Sequence, residues 1–144
     1  MLDPQLDPLG SLLTEIRDDI DVDTLVDGRV RGFEPAPGDA QPTGKFKAFV
    51  VIVTLDAPPE MGIPVTFATY GVRCYGATPQ GAWAVWGAVV KAVHMIGPRL
   101  KSSGLGIYQT IVNGGGDQEK DPDTQQPVVM GTIRLIATTQ VVSV

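Results

Sequence analysis

The most constraining feature of the sequence is a strand that turns directly into a helix. Residues 65–75 carry the side-chain pattern of a β-strand, and a bend follows at residues 76–77. Thr78 followed by Pro79 is the signal of a helix start, and apolar residues at helical spacing continue to about Ile96. Because so few residues separate the two elements, the helix must fold back onto the sheet that contains the strand.

The other segments complete an α+β pattern. The predicted order is an amphipathic helix from Asp7 and Pro8 with Leu9, Leu12, Leu13, Ile16 and Ile20 on one face, strands at 29–33, 45–55 and 65–75, the helix at 79–96, and strands at 105–112 and 127–139. Residues 45–55 are apolar at both alternating positions, which predicts a central strand covered on both faces. We expect an antiparallel, or at most mixed, sheet of four to five strands with two helices packed on one face.

Length and composition favour a single domain over residues 1–144. An apolar content of 43% in 144 residues supplies one core. Two segments rich in Gly, Pro and polar residues, 34–45 and 113–127, are expected to be flexible loops. The N-terminus lacks a signal-peptide pattern and no apolar stretch has the length of a membrane span, so we expect a soluble protein with no membrane partner.

The charge distribution disfavours nucleic-acid binding. The chain has a net charge of -5, and its first 27 residues hold eight of the 16 acidic side chains with Arg17 as their only base. Binding to phosphates needs clustered Lys and Arg, and the 11 basic residues of this chain are scattered.

Cys74 is the residue most open to a catalytic interpretation, because it lies at a strand end two residues before Gly76. Its only possible base is His94, which the predicted helix carries several turns away from the bend. Val72 also occupies a position that a nucleophile elbow requires to be small. We therefore interpret Cys74 as a buried, unreactive thiol and His94 as a residue on the flank of the helix, and we expect no enzymatic activity.

Two further patterns imitate ligand sites. The acidic run at 117–123 resembles the start of a calcium loop, but Pro122 stands where that loop needs glycine and Val128 where it needs glutamate. The NGGG segment at 113–116 lacks the Lys-Ser/Thr pair of a phosphate loop. We predict no metal and no cofactor.

The helix at 79–96 is more apolar than one sheet requires. One stripe is formed by Ala82, Val85, Trp86, Val89, Val93 and Ile96, and Trp83 and Val90 widen it to nearly half of the circumference. Two interpretations stay open: the first helix also covers this flank, or Trp83, Trp86 and Val90 contact another subunit. Arg73 and Arg134 interrupt apolar strands, so they either pair with acids of a neighbouring subunit or lie on the solvated face of the sheet.

The order of these elements resembles the tail terminator (tail completion) proteins of phages with long, non-contractile tails. Four segments carry the resemblance: LVDGRVRGFEPAP, FVVIVTL, VRCYGATPQGAWAVWGAVVKAV and VVMGTIRLIATT. Together they cover most of the chain. The long GGGDQEKDPDTQQP segment departs from the family pattern.

The resemblance implies a virion structural protein with no cofactor. Such a protein assembles as a homo-oligomeric, six-fold ring at the head-proximal end of the tail tube. It stops polymerisation of the major tail tube protein and joins the tail to the neck, after assembly in the host cytoplasm. Six copies of -5 would carry a charge of about -30, and a negative lumen would let DNA pass without specific binding.

Contacts with the tube or neck are expected from the two loops, which would become ordered on assembly. The candidate contact residues are Glu34, Pro37, Asp39, Lys45, Asp117, Glu119, Asp121 and Asp123. A head-tail connector of the neck, either an adaptor or a stopper, is the alternative function. A small thiol-dependent enzyme and a small-molecule site between helix and sheet are weaker alternatives.

Overall fold

The fold is a six-stranded mixed sheet with its helices on one face. A computed structural model of the chain describes residues 8–35, 47–56, 65–93, 99–100, 106–122 and 125–138. The elements are α1 Pro8–Asp18, α2 Ile20–Val26, β1 Val30–Gly32, β2 Phe49–Asp56, β3 Val65–Tyr75, α3 Pro79–Val93, β4 Arg99–Leu100, β5 Gly106–Lys120 and β6 Pro127–Thr138. The strand order is β1-β2-β3-β6-β5-β4, with β1 parallel to β2 and the other pairs antiparallel. The expected α+β class is confirmed, and the sheet is mixed; its two short edge strands, β1 and β4, bring the number of strands to six.

Strand β5 is much longer than the sequence pattern predicts. The expected loop at 113–127 is wrong for most of its length, because β5 continues to Lys120 and pairs with β6 as far as Pro127. Backbone pairing requires a partner strand but no apolar side chains, so a polar segment extends the hairpin where β6 supplies the partner. Register shifts mark three irregularities in β5, at 107–109, 112–114 and 115–117.

The N-terminal helix is divided into two at Asp19. Asp19 has extended backbone angles, and its side chain accepts a hydrogen bond from the amide of Val22 at 3.1 Å, which caps the start of α2. Because the break rotates the following turn, Ile20 is 79% exposed and not on the apolar face. Val22 and Val26 take over the buried positions, and the prediction for Ile20 is wrong.

The main core lies between the helices and one face of the sheet. It contains Leu12 and Ile16 of α1, Val50 and Ile52 of β2, Val72 and Cys74 of β3, Val85 and Val89 of α3, and Val129, Ile133 and Leu135 of β6. α3 contacts α1 and α2 as well as β3, β5 and β6. Val129, Ile133 and Leu135 of β6 are buried on the core face, at the alternating positions expected of a strand with one face on the core.

A second, smaller cluster lies on the helix-free face, the face of the sheet opposite to α3. Phe49, Val51, Tyr75 and Val128 are buried there, and the rings of Phe49 and Tyr75 stack with centroids 4.2 Å apart. Both alternating rows of β2 thus contribute buried side chains, as the sequence of residues 45–55 indicates.

The bend between β3 and α3 depends on a glycine. A Cβ at Gly76 would overlap the backbone nitrogen of Ala82, so only glycine lets the strand end approach the first turn of α3 this closely. The Thr78 side chain accepts a hydrogen bond from the Gly81 amide at 3.0 Å, which confirms the predicted helix start.

Candidate interaction site

Trp86 lies flat on the sheet, over two glycines that face each other across β5 and β6. Gly115 pairs with Gly131, and a Cβ at Gly131 would overlap the Trp86 ring. A Cβ at Gly115 would lie 2.6 Å from Cζ2 of the same ring. The two glycines form a bare stretch of backbone, which we call the glycine platform, and the indole fills the space that side chains would otherwise occupy.

Trp83 extends this contact toward solvent. Its Nε1 donates a hydrogen bond to Oε1 of Gln118 at 2.8 Å, and its ring lies beside Gly116, where a Cβ would be 3.1 Å from Cη2. The side chain is nevertheless 43% exposed. Trp83 is therefore an aromatic side chain held in one position at the surface, with its polar atom already bonded.

The structure separates the three subunit-interface candidates of α3. Trp86 is only 7% exposed and belongs to the core, which agrees with the first of the two interpretations for this residue. Val90 is partly buried and packs against the same core. The broad apolar arc is explained largely by α1 and α2, which contact α3 and lie on the same face of the sheet. Trp83 remains the member of this set with a large exposed area, and its role in a subunit interface stays a prediction.

Arg73 and Arg134 lie on the helix-free face. Arg73 stands between Val72 and Cys74, and Arg134 between Ile133 and Leu135, and all four of these neighbours point into the main core. Arg134 is exposed and Arg73 is half-buried. This position agrees with the second interpretation of the sequence, in which both arginines are on the solvated face.

Acidic side chains of β5 also lie on the helix-free face. Asp117 is paired with Met130 and Glu119 with Val128, and directly opposed residues of an antiparallel pair share a face. Asp117 and Glu119 are both exposed. Asp121, just after the strand, accepts a hydrogen bond from the Tyr75 hydroxyl at 2.7 Å. Asp117 and Glu119 thus belong to a strand edge and not to a loose loop.

The two edges of the sheet differ in how their backbone groups are used. At β1, the Val30 carbonyl accepts from Arg17 at 2.7 Å, the Val30 amide donates to the Gly28 carbonyl, and the Gly32 carbonyl accepts from the Glu34 amide. At the other edge, β4 pairs with β5 only at Gly106 and Ile107. From Gln109 to Lys120, β6 is the one strand paired with β5 in the described part of the chain.

Tyr75 and Cys74 have pKa values shifted by burial. Burial raises the pKa of Tyr75 to about 12, and the hydrogen bond and negative charge of Asp121 act in the same direction. Burial also raises the pKa of the Cys74 thiol, which holds it in its unreactive protonated form. The interpretation of Cys74 as a buried thiol is confirmed.

Several sequence candidates lie outside the described residues: Pro37, Asp39, Lys45, His94 and Asp123. Glu34 is described and is exposed just after β1. Among the described residues, no three His, Cys, Asp or Glu side chains are close enough to hold a metal ion. None of the described helices has the length and apolar character needed to span a membrane.

Sequence reasoning missed the glycine platform and the role of Gln118. The NGGG segment was interpreted as a turn, because a run of glycines does not indicate which side chains pack against its backbone. The signal that was present is the pair of tryptophans on α3 together with Gly131, an isolated glycine within the last apolar strand.

Comparison with known proteins gives a match in structure but not in sequence. No protein-family model matches the chain, and no curated protein matches it. Among solved structures, a chain of the "Virion of native gene transfer agent (GTA) particle" is similar, with a TM-score of 0.65 and 12% sequence identity. The match covers 88% of this chain and 91% of that chain. At this identity it shows a shared fold.

Proposed function

We propose that this chain is a structural protein of a phage-like virion that forms a six-fold ring at the head-proximal end of the tail tube. In that position the ring ends polymerisation of the tube and joins the tail to the neck. The observation that supports the proposal most is the fold shared with a virion chain over nearly the full length of both proteins. The sequence resemblance to tail terminators supports the same assignment.

The proposed role is geometric, and its physical basis is a head-to-tail contact that closes. A heterologous interface that closes after six copies forms a ring, whereas one that does not close forms a filament. Trp83 is the strongest anchor for such a contact, because an aromatic side chain already held by Gln118 loses little conformational entropy on binding. Arg73 and Arg134 are candidate partners for acids of a neighbouring subunit.

The alternative of a thiol-dependent enzyme is disfavoured by Cys74. The side chain is buried in the main core, and burial raises the pKa of its thiol, the opposite of what a nucleophilic cysteine requires. A neck adaptor or stopper shares the expectation of a virion protein, and the two roles differ in the partner that the ring binds.

The function is tested by mixing the purified chain with major tail tube subunits and imaging the mixture by electron microscopy. A tail terminator gives short tubes with a ring at one end and stops their growth. Tubes that grow equally with and without the chain, together with binding of the chain to neck proteins, would establish the connector role instead. A chain that neither forms rings nor binds either partner would contradict the proposal.

Substitution of Trp83 tests the interface. We expect Trp83→Ala to raise the concentration at which half of the chains assemble by roughly 30-fold, because loss of an aromatic anchor costs about 2 kcal/mol of binding free energy. Leu25→Ala is the matched control, since Leu25 is another exposed apolar side chain, 39% exposed on α2. Analytical ultracentrifugation measures assembly, and circular dichroism checks that both variants fold. Unchanged assembly in a folded Trp83→Ala variant would remove Trp83 from the interface.

A further inference from the structure

The open edge of β5 is a surface that the proposed role does not yet use. Four consecutive residues at the end of the strand, Asp117 to Lys120, are all exposed although they belong to a paired strand. An edge strand with one paired side presents unpaired backbone N–H and C=O groups on the other, and such an edge accepts an added strand. Register shifts at 107–109, 112–114 and 115–117 interrupt the pairing of β5 with β6, and 117–120 is the regular stretch beyond the last of them.

This segment is held in position before any partner arrives. Trp83 of α3 binds Gln118 in the middle of it, and the preceding residues lie against the two indole rings through Gly115 and Gly116. At its far end, Asp121 accepts from Tyr75 of β3. A strand that is already ordered loses little entropy when a partner pairs with it.

The charge pattern disfavours a second copy of β5 as the partner. When two copies of a strand pair antiparallel about a two-fold axis, directly opposed residues lie on the same face. A register centred on Gln118 opposes Asp117 with Glu119, and a register centred on Glu119 opposes Glu119 with itself. Both place like charges directly against each other, which destabilises the pair.

The β1 edge of a second copy is also unsuitable. Three of its outward backbone groups, the Val30 amide and the carbonyls of Val30 and Gly32, are bonded within the same chain to the Gly28 carbonyl, to Arg17 and to the Glu34 amide. Pairing through β1 would have to break these hydrogen bonds first, at a cost of about 1 kcal/mol for each.

We infer that the edge of β5 at 117–120 binds an extended segment of a different virion protein, one with basic side chains two residues apart. Backbone hydrogen bonds to β5 give the added strand its register. Its basic side chains lie opposite Asp117 and Glu119 on the helix-free face. The choice of a virion partner rests on the proposed function, whereas the chemistry of the segment rests on β5 alone.

The test uses the full chain and the blocked peptide TKVKVT, with TEVEVT as the control of opposite charge. We expect TKVKVT to bind about tenfold more tightly in fluorescence anisotropy, because two cross-strand ion pairs replace two like-charge pairs. Binding should also slow amide hydrogen exchange within residues 117–120. Absence of that protection, or equal binding of the two peptides, would overturn the inference.

Two controls separate strand addition from charge attraction. A TKVKVT peptide with N-methylated backbone amides keeps its charge but loses its hydrogen-bond donors, and we expect it not to bind. If it bound as tightly as TKVKVT, electrostatic attraction alone would explain binding, and the inference of strand addition would be overturned. The variant D117K/E119K should reverse the preference toward TEVEVT, while D117N/E119Q should abolish it. Both changes are at exposed positions. A variant that kept the original preference would place the peptide elsewhere.

The outcome is independent of the ring experiment. If the chain caps tail tubes but no peptide protects 117–120, the edge inference fails alone. If the peptide binds as expected but the chain neither forms rings nor caps tubes, the proposed function is wrong and the inference about the β5 edge stands.

Discussion

At the residue scale, the contact between Trp86 and the glycine platform explains why the centre of a β-hairpin carries so many glycines. The indole occupies the volume above Gly131 and Gly115, so each residue type is required by the other. Such complementarity is a packing constraint, and it explains the position of Trp86, for which the sequence left both a core contact and a subunit contact open.

Gly131→Ala should lower the free energy of unfolding by about 1–3 kcal/mol, because the added methyl group overlaps a ring that the core holds in place. Gly87→Ala is the matched control: its Cβ meets nothing within 4 Å on the exposed side of α3. There the same change should stabilise by about 0.5–1 kcal/mol through helix propensity. Urea denaturation of both variants measures the difference, and equal effects would contradict the packing argument.

Tyr75 makes stability depend on alkaline pH. Its folded-state pKa is raised from 10.0 to about 12, so the folded state holds the phenolic proton more tightly than the unfolded state does. The resulting stabilisation is complete below pH 10 and is lost as the pH rises to about 12. Tyr75→Phe should therefore flatten the pH dependence of the unfolding free energy between pH 10 and 12. Cys74 is present in both the native protein and the variant, so its contribution cancels in the comparison. Equal pH dependence of the unfolding free energy in the two proteins would contradict the role given to Tyr75.

At the element scale, the division of the N-terminal helix at Asp19 sets which residues α2 buries. The side chain of Asp19 satisfies a free amide at the start of α2 and fixes the angle between the two helices. Val22 and Val26 reach the core only because this break rotates α2 relative to α1.

Asp19→Ala should destabilise the protein by about 1 kcal/mol, the usual cost of losing an N-cap. Asp18→Ala removes an equal charge one residue earlier, at the end of α1, where a negative charge is unfavourable to the helix dipole. We expect that control to be neutral or slightly stabilising. Thermal unfolding of the two variants distinguishes the cap from a general charge effect, since a general effect would shift both in the same direction.

The elements that sequence reasoning predicted are those with a local cause. The bend at Gly76, the cap at Thr78 and the alternation of β6 follow from neighbouring residues. The break at Asp19 was missed because the apolar spacing of α1 continues formally to Ile20. The length of β5 was missed because its partner strand, and not its own side chains, decides that residues 113–120 pair.

At the scale of the whole molecule, charge sets the conditions under which copies come together. Each chain has a net charge of -5, so the copies of the proposed ring would assemble against mutual repulsion. The attractive part of a contact through Trp83 is apolar and depends little on salt. Added salt screens the repulsion between the copies.

Ring assembly should therefore strengthen as ionic strength rises from about 0.05 to 0.5 M, because the screening length falls several-fold over that range. Sedimentation velocity at fixed protein concentration measures the assembled fraction. Binding of a basic peptide to β5 should show the opposite dependence and serves as an internal comparison. Assembly that weakened with salt would mean that ion pairs of Arg73 or Arg134 dominate the contact.

The hydrogen bond from Arg17 to the Val30 carbonyl bears on aggregation at high local protein concentration. The edge at β5 can accept an added strand, whereas Arg17 occupies an outward carbonyl of the edge at β1. Continuous strand pairing from one molecule to the next needs both edges, and it is hindered at β1. Occupied backbone groups at an edge of this kind oppose the strand-by-strand growth of cross-β fibrils from the folded protein.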